Sequence, residues 1–273
     1  MAKRLSRRGA RTGHAGAWLA AGAAAILLAF MPPVLSDYGL LILCYALVFA
    51  LACLGLNLLF GGTGLLSLGH AAYFGVGGYA GAFLYRFYGF ESLELHLLAG
   101  VVAATLVAAV FGFLCTRATR IHFAILSLAL AQIVHSVFID GAIFRLFGGI
   151  GRALYFVGGG SLYIPRLTIL GVQYPPGEFV FAFYYVLLTA VLCSSLVLWR
   201  LDRSPFGNAL KAIRDNEQRA VFIGLPVRRY RWLAFVISAA FVGLAGGLYG
   251  QLARQITPEQ LHWLFSAKLV LAT

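Results

Sequence analysis

The sequence predicts an all-α, polytopic transmembrane helix bundle with seven full spans, an incomplete eighth and a cytoplasmic N-terminus. Three observations carry that prediction. First, apolar residues make up 61% of the 273 residues and charged residues only 11%, against roughly 25% charged in soluble domains; a water-exposed surface cannot be built from so few charges. Second, apolar runs of spanning length recur along the whole chain. Third, the basic residues gather in alternate connections between those runs. The same composition excludes a disordered chain, a collagen-like repeat and a disulfide-stapled secreted domain.

A helix crossing the hydrocarbon core needs about 20 mostly apolar residues. Residues 1–15 form a basic tail, with Lys3, Arg4, Arg7, Arg8 and Arg11. The first span covers Gly16 to Leu35. Arg-rich residues before an apolar run also describe a secretory signal, and Ser6-Arg7-Arg8 resembles the start of a twin-arginine signal. No small-x-small cleavage site follows Pro33, however, and the next span begins at once, so the run reads as a retained helix. The following spans are Tyr38 to Phe60, Leu65 to Tyr85, His96 to Leu114, Ile121 to Ile139, Phe179 to Trp199 and Trp232 to Leu252. Pro32-Pro33, the Gly61-Gly62-Thr63-Gly64 turn and charge clusters separate them. An eighth run begins near Leu261 and stops at Thr273, short of the roughly 17 residues that crossing needs, so Thr273 is expected not to be a natural functional end.

With a cytoplasmic N-terminus, the inside segments hold 15 basic residues against Asp202, Asp215 and Glu217, and the outside segments hold five basic residues against six acidic ones. Lys268 falls in the eighth run. The formal net charge of +12 is therefore a positive-inside signal and calls for no nucleic-acid partner. Residues 140–178 form the outer loop and residues 200–231 the sizeable cytoplasmic loop of a membrane domain covering 16–273.

Cys44, Cys53, Cys115 and Cys193 lie in or beside apolar runs, form no Cys-x-x-Cys pair and read as small apolar fillers. Gly77 and Gly81 in the third span, and Gly243 and Gly247 in the seventh, are four apart; such pairs share a helix face and let backbones approach. Tight packing explains them, and lining a pore is the second reading of the same pattern. No Asp or Glu sits in mid-span, which weakens a proton- or sodium-driven carrier. Asn57, Ser67 and His70 are the candidate translocation-path residues, although interhelical hydrogen bonding explains the same polar groups. No catalytic constellation, metal-ligand cluster or Gly-x-x-x-x-Gly-Lys-Ser/Thr phosphate loop is present. If ATP drives this protein, another chain must bind it.

The loop from Arg200 to Arg231 carries a helix signature: Ser204 to cap, Pro205 at the first helical position, Gly224 to end it and Pro226 to block continuation. Phe206, Ala209, Leu210, Ile213, Ala220 and Val221 recur at helical spacing, interrupted by Glu217. The expectation is one amphipathic helix of about five turns, suited either to a lipid interface or to a groove on a partner.

The run Ser204-Pro205-Phe206-Gly207-Asn208-Ala209-Leu210-Lys211-Ala212-Ile213-Arg214-Asp215-Asn216-Glu217, followed by Arg219-Ala220 and Gly224, closely resembles the cytoplasmic loop of ABC importer permeases of the branched-chain amino-acid (LivM-type) family. The run from Leu54 to Gly75, with Asn57, Gly61-Gly62-Thr63-Gly64 and Ser67-Leu68-Gly69-His70, resembles the same family, as does Arg229-Tyr230 with Leu233 to Gly246. The resemblance covers most of residues 38 to 265. It implies a multi-pass permease of the bacterial inner membrane, without an ATP site or cofactor of its own, moving solute by alternating access. Its implied partners are a second permease subunit in a heterodimer, two cytoplasmic ABC ATPases that carry ATP and Mg, a periplasmic solute-binding protein and membrane lipid. It also implies that Ala209, Leu210, Ile213, Arg214, Glu217, Ala220 and Gly224 couple to the ATPase, with Ala220 and Gly224 at the closest approach. The family usually has Thr-Gly-Gly and a small polar residue in its long outer loop, where this chain has Phe147-Gly148-Gly149-Ile150. The solute stays open among branched-chain amino acids, other amino acids, urea and short amides. A membrane scaffold that recruits a soluble partner through residues 204–224, and an ion-coupled carrier, are the alternatives.

Overall fold

The structure is a computed structural model and describes residues 22–118, 120–140 and 162–273. The basic tail, part of the first expected span and the outer-loop sequence Phe147 to Ile150 lie outside the described residues. Residues 22–30 are helical, and Tyr184 Oη donates 2.7 Å to the carbonyl of Leu28, which fixes this segment to the bundle.

The helices that follow are α1 (Asp37–Thr63), α2 (His70–Tyr88), α3 (Leu93–Cys115), α4 (Arg120–Asp140), α5 (Pro176–Asp202), α6 (Pro205–Asp215), α7 (Glu217–Phe222), α8 (Val227–Ala253) and α9 (Trp263–Ala272). Five of them, α1, α3, α4, α5 and α8, are long and apolar enough to cross a membrane. Each contains the span expected from the sequence and extends past it by a few residues, because flanking polar residues such as Ser36, which accepts from the Gly39 amide, cap the helix outside the apolar run. The third expected span differs. Helix α2 starts at His70 and not Leu65, since Gly64 ends α1 in the left-handed conformation (φ 69°), and residues 65–69 run without regular helix. Gly61, Gly62 and Thr63 stay helical, so a single glycine makes the break.

Helix α8 is the central element, packed on α1, α2 and α3. Glycines bring three backbones together: a Cβ built on Gly77 would overlap the carbonyl of Gly243, one on Gly100 would lie 2.6 Å from the Gly77 oxygen, and one on Gly246 would overlap the carbonyl of Phe74. Gly81 faces His96 and Gly247 faces Leu97. Around this joint Phe49, Phe74, Tyr249 and Phe265 form a chain of ring contacts. Cys44 and Cys115 are buried in the core, whereas Cys193 is exposed on α5 and fills no gap.

At the end opposite the basic loop, two short strands, β1 (Leu162–Tyr163) and β2 (Gln255–Ile256), pair antiparallel, and Thr168 pairs with Glu91 and Leu93 through backbone hydrogen bonds. The chain then turns back inward. A 3-10 turn, Pro258–Leu261, carries a Thr257/Gln260 capping box, and Leu261 packs where Gly75 leaves room.

Candidate functional site

Two regions carry most of the polar chemistry: the interior start of α2 and the loop that joins α5 to α8. The start of α2 lies inside the bundle. His70 pairs with Ser238, 11 residues into α8, or about 16 Å along its axis at 1.5 Å per residue. Non-helical backbone at such depth must find partners within the protein, and here hydroxyls supply them. Thr63 Oγ1 accepts from Leu65 N (3.3 Å), Ser127 Oγ from Leu68 N (3.2 Å), Ser67 Oγ from Gly69 N (3.4 Å) and Ser266 Oγ from Ala71 N (2.7 Å).

The His70 ring is fully buried. Its Nδ1 lies 2.8 Å from Ser67 Oγ and its Nε2 2.8 Å from Ser238 Oγ, while Ser238 Oγ donates 2.6 Å to the carbonyl of Gly55. Because Ser238 spends its proton on Gly55, it must accept from His70, which places the ring proton on Nε2 and lets Nδ1 accept from Ser67. The chain of bonds ties α1, the 64–69 segment, α2 and α8 together. Tyr73 and Phe235 enclose the ring edge to face, and no carboxylate touches it among the described residues. Asn57 stands apart: it is exposed and lines a cavity of about 430 Å³ with Gly61, Trp199, Leu210 and Arg214. The structure thus brings Ser67 and His70 together and leaves Asn57 elsewhere.

A second cavity, about 670 Å³, opens between α1, α4, α8 and residues 259–272. Phe49, Tyr249 and Phe265 form apolar walls, and His135, Glu259 and Lys268 supply polar groups. The His135 and His262 rings meet at 4.9 Å. Sequence reasoning passed over Glu259 and Lys268 as one outside charge and one charge in an unfinished span. Only the inward turn after β2 brings them to one wall.

The loop between α5 and α8 corrects the single five-turn helix. Asn216 leaves the helical region (φ −155°, ψ 104°), ends α6 and caps α7 by accepting from Arg219 N at 2.9 Å. Asparagine competes for backbone partners in this way and favours caps. Glu217, which interrupts the apolar stripe, is the first residue of the new helix. Ala209, Leu210 and Ile213 are buried, with Leu210 against Gly62 of α1. Arg214 donates 2.6 Å to the carbonyl of Gly61, and Glu217 takes Arg231 of α8 bidentately at 2.7 and 2.7 Å. Gly224 takes φ 85°.

Ala220 is buried against Ile213, Val227, Leu225 and Tyr230, within the loop's own small core. The exposed apolar residues are Val221, Phe222 and Ile223, at 57%, 89% and 68% exposure. The apolar triplet before Gly224 was a visible signal, but a continuous helical phase put Val221 on the buried stripe and hid the other two.

A family described as branched-chain amino acid transport system / permease component matches residues 38–273. The chain is 30% identical over 241 residues to the high-affinity branched-chain amino acid transport system permease protein LivM of Escherichia coli (strain K12), across 81% of this chain and 54% of that protein. LivM of Salmonella typhimurium (strain LT2) matches at the same identity and coverage. The guanosine ABC transporter permease protein NupQ of Bacillus subtilis (strain 168) is 29% identical over 66 residues, 24% of this chain and 21% of that protein. The chain spans about half the length of the LivM proteins that it matches. No solved structure matches it.

Proposed function

The chain belongs to the branched-chain amino acid permease family, and from that membership we propose that it forms the membrane-spanning subunit of an ABC importer for a branched-chain or related amino acid. The observation that carries the reading is the family match across residues 38–273, which takes in the spanning helices and the loop fastened to them. The basic end faces the cytoplasm, in keeping with the positive-inside distribution. ATP and Mg are held by two ATPase subunits, a second permease completes the membrane part, and a solute-binding protein delivers from the other side. The ATPase docks on α6 and α7, with Val221, Phe222 and Ile223 entering its apolar cleft. Ala209, Leu210, Ile213 and Ala220 hold these helices rigid from beneath, and Arg214 and Glu217 transmit their movement to α1 and α8.

Solute passes the cavity that Glu259 and Lys268 line, whose volume lies within the roughly 300–1,000 Å³ of small-molecule sites. A carboxylate and an ammonium group between aromatic walls match a zwitterion with an apolar side chain. The test combines ATPase co-purification with solute uptake. Val221→Ser/Phe222→Ser/Ile223→Ser together should insert normally and lose both readouts. Lys268→Gln should keep the ATPase and lose uptake. Normal uptake by the triple variant would remove the docking assignment, and normal uptake by Lys268→Gln would remove the path.

A further inference from the structure

We propose that the recess between the end of α3 and the start of α8 binds the headgroup of an anionic phospholipid. The recess has a volume of about 810 Å³ and is lined by Phe113, Arg117, Glu217, Arg228, Arg229 and Trp232 among others. Glu217 is the one carboxylate there, and Arg231 already occupies both its oxygens. Among the described residues Arg117, Arg228 and Arg229 form no ion pair, so three positive charges stand without a counter-charge. Arg117 and Arg228 lie over the same ring, Phe113, at 4.6 and 4.7 Å from its centroid. Both guanidinium groups are thus gathered at one ring beside the recess, and guanidinium N–H groups bind phosphate oxygens through charge-assisted hydrogen bonds.

What favours a lipid over a soluble anion is the surface that leads into the recess. Leu98, Val102, Leu106, Val110 and Phe113 are 48% to 63% exposed, and their spacing of three or four residues puts them on one face of α3. That face runs about 22 Å along the helix, enough for acyl chains reaching from the recess into the bilayer core. Trp232, fixed by donating 2.9 Å to the carbonyl of Ala109, sits at the rim, where tryptophan favours the interface. Basic recesses between spanning helices suit anionic headgroups. The inference needs only that these helices cross a bilayer, and does not depend on the transport reading.

The test is native mass spectrometry of the full chain in detergent with phosphatidylglycerol and phosphatidylcholine of matched acyl chains. The unaltered chain should retain phosphatidylglycerol preferentially, and Arg117→Gln/Arg228→Gln should weaken that preference by roughly fivefold for each arginine removed. Arg117→Lys/Arg228→Lys should keep most of it. Arg166→Gln/Arg254→Gln, an equal loss of charge at the opposite end, should leave it unchanged. A phosphatidylglycerol with a photoreactive headgroup should crosslink to peptides 113–118 and 221–232, which tests the site even where the glutamine variant fails to fold. Equal retention of both lipids, equal losses in the two glutamine doubles, crosslinks elsewhere, or displacement by glycerol phosphate at matched concentration would each overturn the proposal. So would a glutamine double that keeps its lipid preference and loses its ATPase, which would make the recess a protein-docking surface.

Discussion

At the scale of single residues, His70 shows how a polar side chain in an apolar bundle is used. Its two ring nitrogens meet Ser67 and Ser238, and the Ser238 hydroxyl donates in turn to the Gly55 carbonyl. A hydrogen bond contributes about 0.5–1.5 kcal/mol net, and stranding a buried polar group costs about 1–3 kcal/mol. His70→Leu leaves the Ser67 hydroxyl without its acceptor and removes the donor to Ser238, which keeps its bond to Gly55, and should destabilise the bundle by about 1–3 kcal/mol; His70→Gln, whose amide reaches only one partner, should cost about 1 kcal/mol. Thiol labelling of buried Cys44 and Cys115 during thermal unfolding reads both. Should His70→Leu unfold with the unaltered chain, the bonds would have no stabilising role; a pH-dependent loss of uptake in His70→Gln at normal protein levels would point instead to proton transfer. That His70 would be hydrogen-bonded was legible, because a lone imidazole in an apolar run needs partners. Which serine it would choose was not, since Ser238 lies 168 residues away.

At the scale of elements, the joint between α2, α3 and α8 rests on glycines that let backbones touch, with the Ala104 methyl seated on Gly243. Gly246→Ala would drive a methyl into the Phe74 carbonyl, and overpacking of this kind costs about 1–3 kcal/mol. Gly177→Ala, at an exposed position with open space around it, should be neutral. Equal thermal stability of the two variants would contradict the joint. The four-residue glycine spacing in α2 and α8 was readable as pattern. Gly100 was not, because its role comes from where α3 crosses Gly77 and not from any repeat in α3. The loop follows the same rule. Its caps at Ser204 and Gly224 are local chemistry and were legible, whereas the break at Asn216 depends on a side chain preferring the Arg219 amide to a continued helix.

At the scale of the whole molecule, the five helices long and apolar enough to cross a membrane were legible because bilayer thickness sets such lengths, while the inward start of α2 was hidden because residues 65–69 are nearly as apolar as the helix that follows. The orientation can be read directly. In a chain cleared of native cysteines, Phe222→Cys and Leu170→Cys place exposed thiols at opposite ends. An impermeant reagent applied to intact cells should label position 170 and leave 222 untouched; the reverse pattern would invert the topology. The glycine joint also has a mechanical meaning. Backbones that meet at Gly77, Gly100 and Gly246, with the Ala104 methyl seated on Gly243, leave no slack between the helices, and sliding by a single residue would set a Cβ against a carbonyl. Packed interfaces of this kind have discrete seats and no continuous travel. Helices α2, α3 and α8 therefore move as one block together with α1, which is pinned to α8 where Gly55 meets the Ser238 backbone and its carbonyl takes the Ser238 hydroxyl, and the softer seam of the molecule lies where α4 and α9 meet that block more sparsely.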